Sequence, residues 1–181
     1  MNEIALKKKS NALANVIISL SQNYHATNDE EEKSQISIII GAGLFYLPTS
    51  KVLCTGLISR DALMSLQINP KNSLVKEHCF PRKVAANELL TVHLNGLRND
   101  RTLLSRLYTG RFGKYHVVTK QENQILKRYQ KLGVFESEID SYDKAGIELI
   151  DLKDVQNDHL FDEIPGLAKY VNRPIPTLNA N

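Results

Sequence analysis

Apolar and polar positions along the first 25 residues follow helical spacing. Leu13, Val16, Ile17 and Leu20 stand at i, i+3, i+4 and i+7, which predicts an amphipathic helix over 3–25. The polar stretch HATNDEEEKSQ (25–35) then reads as a loop. At residue 36 the pattern changes. ISIIIGAGLFYLP (36–48) opens as a β-branched, apolar run that predicts a buried strand, with Gly41 and Gly43 marking a turn or bulge and Pro48 closing it. KVLCTGLIS (51–59) reads as a second strand that can pair with the first as a hairpin. SRDALMSLQ (59–67) predicts a short helix with Ser59 at its N-cap, and INPKNS a turn.

The second half alternates strand and helix signals. LVKEHCF (74–80) reads as a third strand, ended by Pro81. RKVAANELLTVHLNGL (82–97) is helical, burying Val84, Leu89, Leu90 and Leu94, and NDRTLLSRLYTG (99–110) is a second helix. KYHVVT (114–119) is a fourth strand. KQENQILKRYQKLG (120–133) is a helix with Thr119 as N-cap, Glu122 completing a capping box and Gly133 as its stop. From Ile164 the proline-broken tail reads as extended or loosely docked. The GAG at 41–43 lacks the GxGxxG spacing of a nucleotide fingerprint.

Composition narrows the class. A chain of 181 residues with 42% hydrophobic content suits one domain with a real core. No apolar run approaches the roughly 20 residues of a membrane helix, so no membrane partner is expected. The basic, then apolar, N-terminus is interrupted by Ser10, Asn11 and Asn15, unlike a signal peptide. A cytoplasmic protein is expected, with Cys54 and Cys79 as reduced thiols in no metal-ligand spacing. Net charge is +3, but its distribution is uneven. Arg98, Arg101, Arg106, Arg111, Lys114, Lys120, Lys127, Arg128 and Lys131 crowd one stretch that holds only Asp100 and Glu122 as acids. Such a segment can face a polyanion, or simply be a solvated helical surface.

The chemistry-bearing residues lie around that segment. Glu77-His78 ends a strand, HVVT is a strand, and KQEN opens a helix carrying Asn123. This strand–strand–helix pattern resembles the ββα-metal nucleases, the HNH or His-Me finger group. EHCFP, YHVVTKQEN and YDKAGIEL also resemble small bacterial and phage proteins with an EHxxP strand end and a VVTKxEN helix start, over roughly residues 74–149. The resemblance implies an α+β fold: a ββα-metal-like core with a helical insertion between its strands, beside an N-terminal helix and β-hairpin lobe. Residues 1–70 would form that lobe or a dimerisation element, 71–150 the core, and 151–181 the tail.

The resemblance also implies roles. His78 would be the general base, because an imidazole titrates near neutrality. Glu77 and Asn123 would hold Mg²⁺ (or Mn²⁺), which takes oxygen ligands and keeps several waters. The helix start at Asn123 would favour a nearby phosphate. Arg82 and the basic segment, Arg98, Arg101, Arg106, Arg111, Lys114 and Lys120, would contact the backbone of DNA, or less favourably RNA. Two departures stand out. Asn123 lies 45 residues beyond His78, a longer gap than in compact ββα-metal sites, and the stapling cysteine pairs are absent. With 82–97 as the metal helix instead, Asn87 or Asn95 would be the ligand. Neighbours on a regular strand point to opposite faces, so Glu77 and His78 share one site only where the strand twists or ends. His116 reads as a core or edge histidine and Cys79 as a small buried residue. The expected activity is a DNA endonuclease of restriction, mobile-element or defence type. The alternative is a nucleic-acid-binding or assembly protein without catalysis.

Overall fold

The computed structural model describes residues 2–153, 164 and 166–171. The chain is α+β, with helices packed around a small mixed sheet. Helix α1 (Glu3–Ala26) starts at Asn2, whose side chain accepts the Ala5 N–H at 3.1 Å. Its buried stripe is Leu6, Ser10, Ala14, Ile17 and Ser21, while Val16 is exposed. The expected face is therefore rotated. Small residues let neighbouring helices approach, and the buried Ser10 and Ser21 hydroxyls donate to Leu6 and Ile18 carbonyls at 2.8 and 2.7 Å.

Residues 36–45 are helical, contrary to the strand and hairpin expected there. Helix α2 (Glu30–Phe45) is capped by Asp29, which accepts the Glu31 N–H. Three glutamates in its first turn complement the helix dipole. Its glycines are packing sites. A Cβ on Gly43 would lie 2.5 Å from Leu13 of α1, and one on Gly41 would touch the Arg82 backbone. Tertiary contact thus overrides both the β-branched run and the glycine penalty.

Strand β1 (Cys54–Ser59) leads into α3 (Arg60–Ile68), and Ser59 caps it as expected, accepting the Ala62 N–H at 3.1 Å. Strand β2 (Val75–His78) precedes α4 (Arg82–Thr91), α5 (Leu94–Asn99), α6 (Leu103–Leu107) and a π-helical turn over Tyr108–Phe112. The expected helix over 82–97 is thus two helices. Then come β3 (Tyr115–Val118), α7 (Lys120–Leu126), α8 (Glu138–Lys144) and β4 (Leu149–Asp151). Helix α7 ends before the expected stop at Gly133, which has φ +84°.

The sheet order is β2-β3-β1-β4. Strands β2 and β3 are antiparallel, β1 and β3 parallel, and β1 and β4 antiparallel. Strand β1 lies between β3 and β4, so residues 1–70 and 71–150 share one sheet instead of dividing at residue 70. Alternation along β3 sends Tyr115 and Val117 into the main core and Val118 into a smaller one with Leu126, Tyr142 and Ile147, beneath α7 and α8. The tail is docked where it is described. Ile164, Leu167 and Val171 are core residues, and Tyr170 accepts the Tyr115 hydroxyl on its carbonyl at 2.7 Å. Its own hydroxyl accepts the Leu74 N–H at 2.9 Å.

Candidate functional site

Strand β2 is an edge strand, and a groove of about 480 Å³ runs along it. Lys76, Glu77 and His78 line it from the strand, and Arg82 and Lys83 from the start of α4. Asn123, Lys127 and Gln130 line it from α7 and the turns after it, and Phe45 from the end of α2. Glu77, His78, Asn123 and Arg82 therefore meet in one place, although two of them are 45 residues apart in the chain.

Buried acid chemistry fixes the angle of α7. The Glu122 carboxylate accepts from the Thr119 N–H at 2.7 Å and from the Ser59 hydroxyl at 2.6 Å. Thr119 Oγ1 in turn accepts the Glu122 N–H at 3.1 Å, closing the expected capping box. One side chain thus ties the start of α7 to the junction of β1 and α3. Asn123 is the next residue.

The β2–β3 ladder is regular, with Glu77 opposite His116 and His78 opposite Tyr115, and it continues as Cys79 N–H donates to the Lys114 carbonyl at 3.2 Å. Glu77 and His78 consequently leave the strand on opposite faces. Glu77 shares the α7 side with Asn123. His78 and Lys76 share the other side, where the Lys76 ammonium lies 5.3 Å from the Tyr115 ring centre. The two residues flank the open strand edge.

Burial sets the electrostatics. It pushes the Glu77 carboxyl up to about 7, although Arg82, the Gln130 amide and Lys127 pull it down. It pushes the His78 imidazole down to about 4, helped by Arg82 and opposed by hydrogen bonding with the Phe112 backbone. His78 Nδ1 and Gln130 Nε2 are buried without a well-aligned partner. Four cations, Lys76, Arg82, Lys83 and Lys127, line the groove with this single carboxyl, and Arg82 and Lys127 act on it directly. Arg82 lies 4.3 Å from the centre of the Phe45 ring.

The other expected contacts are scattered. Arg98 reaches Ser21 and Arg101 reaches Asn15 on α1, while Arg106 pairs with Asp100 at 2.9 Å. Arg111 is held by Glu88 and Glu138 at 3.2 and 3.1 Å and lies over Phe80. Lys114 and Lys120 line none of the groove. Of the alternative ligands, Asn87 accepts the Tyr24 hydroxyl at 2.8 Å and Asn95 is exposed. His116 is buried as expected, and burial pushes the Cys79 thiol up to about 12, which makes it inert.

Sequence reasoning missed Lys76, Lys83, Lys127, Gln130 and Phe45 as groove residues. Asn123, Lys127 and Gln130 stand at i, i+4 and i+7, a spacing that could have joined them. Lys83 and Phe45 meet through the packing of α2 on α4, for which no local signal exists.

Among the described residues no three of His, Cys, Asp and Glu gather as a metal cluster. The donor set for a hard cation is the Glu77 carboxylate and the Asn123 amide oxygen, on one side of the groove. The carboxyl's desolvation is not offset by the cations around it, and an added metal would stabilise its charged form. Carboxylate and amide oxygens are the ligand types that Mg²⁺ and Mn²⁺ take. No family model, curated protein or solved structure matches the chain. No helix among the described residues is long and apolar enough to cross a membrane.

Proposed function

We propose that the groove binds the phosphodiester backbone of a nucleic acid and that the protein is a metal-dependent endonuclease of the ββα-metal type, acting on DNA. The observation carrying this reading is the meeting of Glu77, His78 and Asn123 along the edge of an antiparallel strand pair followed directly by α7. Arg82, Lys76 and Lys127 would hold phosphate oxygens. His78 is neutral at pH 7, the form that accepts a proton from water, and an adjacent phosphate raises its basicity. Glu77 and Asn123 would hold the metal, which when bound supplies charge stabilisation for the leaving oxygen. Because four cations line the groove, metal and phosphate enter best together, each neutralising the other.

The test is nicking of supercoiled plasmid with Mg²⁺ or Mn²⁺, with chelator, and by His78→Ala. Metal-dependent nicking that disappears in the variant supports the reading. No cutting of DNA or RNA by the wild-type protein, or cutting indifferent to His78, removes it. One observation favours a second reading, binding without cleavage: the ladder directs Glu77 and His78 to opposite faces. That reading predicts salt-sensitive nucleic-acid binding with no nicking under any metal.

A further inference from the structure

A second hollow, of about 390 Å³, adjoins the groove and shares Phe45, Arg82 and Lys83 with it. Its outer wall is the exposed face of α2. Ile38 is 48% exposed, Phe45 51% and Tyr46 74%. The Phe45 and Tyr46 rings meet edge to face, with centres 5.3 Å apart. Large aromatics are normally drawn into a core, and two adjacent ones standing in solvent beside a cationic groove call for an occupant.

We infer that Phe45 and Tyr46 form a stacking platform for unpaired bases, so that the groove takes single-stranded nucleic acid in preference to duplex. The inference rests on the nucleic-acid reading above and specifies its substrate. Aromatic faces recognise bases that are not already stacked in a helix, while neighbouring cations follow the backbone. Here both elements are contiguous, and Arg82 belongs to both, lying on Phe45 and lining the groove. Glu77 is the only acid lining either hollow among the described residues. Charge complementarity thus selects an anionic, aromatic ligand. A second copy of the chain fits less well, because a two-fold contact through this face would oppose Arg82 and Lys83 to their own copies.

The test is binding of a short labelled oligothymidylate, and of a duplex of equal length, to the full chain in chelator at low salt. Single strands should bind more tightly. Tyr46→Ala should weaken that binding roughly five- to a hundred-fold, the range of one base–aromatic stack, whereas Tyr46→Phe retains it. Equal affinity for duplex, no binding at low salt, or single-strand binding indifferent to Tyr46→Ala overturns the platform. A dimer in sedimentation that Tyr46→Ala dissolves also overturns it and makes a second copy the occupant. The two proposals separate cleanly. Plasmid nicking that needs His78 but single-strand binding that ignores Tyr46 leaves the nuclease and removes the platform. Tyr46-dependent binding without cleavage does the reverse.

Discussion

Two parts of the molecule are rich in positive charge, and they differ in where those charges go. The arginines between 98 and 111 disperse to separate neighbours: Arg98 and Arg101 to α1, Arg106 to Asp100, Arg111 to Glu88 and Glu138. Three of the four groove cations, Lys76, Arg82 and Lys83, fall within eight residues of one another, Lys127 joins them from beyond α7, and all four line one groove that holds a single carboxyl. A dense run of basic residues therefore need not make a binding surface. Convergence in space raises the local potential an incoming phosphate feels, and a guanidinium already paired with a carboxylate adds little to it.

The contrast can be broken by substitution. The largest expected effect is on cleavage: His78→Ala should lower plasmid nicking by about 10²–10⁴-fold while oligonucleotide affinity changes little. Retained nicking would remove His78 from the chemistry. Next comes Glu77→Gln. The folded carboxyl titrates near 7 and the unfolded one near 4.5, so the folded state holds a proton that the unfolded state releases. Stability must fall as pH rises through that window. Glu77→Gln should stabilise the protein by about 1–3 kcal/mol at pH 8 and by little near pH 4.5, measured by urea unfolding at both pH values.

His78 and His116 act in the opposite direction. Both are held near 4 by burial, so the unfolded state takes up protons first, and stability should fall as pH drops from 6.5 towards 4. His116→Gln should flatten that limb in the same urea series. A smaller effect is expected for Arg82→Ala, which should weaken nucleic-acid binding by about 1–2 kcal/mol and reduce the salt slope by about one. The smallest belongs to Arg101→Ala and Arg106→Ala, within about 0.5 kcal/mol for both binding and stability. Anisotropy titrations across salt concentrations compare the sets, and a large loss from Arg101→Ala would restore the basic segment as the contact surface.

What was legible in the sequence was mostly local. Ser59 and Thr119 cap α3 and α7 as their side-chain chemistry requires, and β2 and β3 follow their patterns. Helix α2 was misread because Ile38, Ile39 and Ile40 favour a strand and the glycines suggest a bulge, whereas those glycines admit α1 and the α4 backbone. Helix α8 and β4 fall in an acidic stretch without clear periodicity. At the site, Glu77, His78, Asn123 and Arg82 could be chosen by chemistry. Glu122 was expected as a cap, but its bond to Ser59 depends on the parallel pairing of β1 and β3, which joins residues about 60 apart.

The central place of β1 has a consequence for how the chain comes off the ribosome. Strand β1 is made early, yet Ile58 pairs with Val117 and Ile150, and the core around it is completed by Ile164, Leu167 and Val171. Local helices can form during synthesis, but long-range pairing carries its loop-closure cost first. The nascent chain therefore carries β1 unpaired until β3 has been made, and the core around it closes only after residue 171 has emerged.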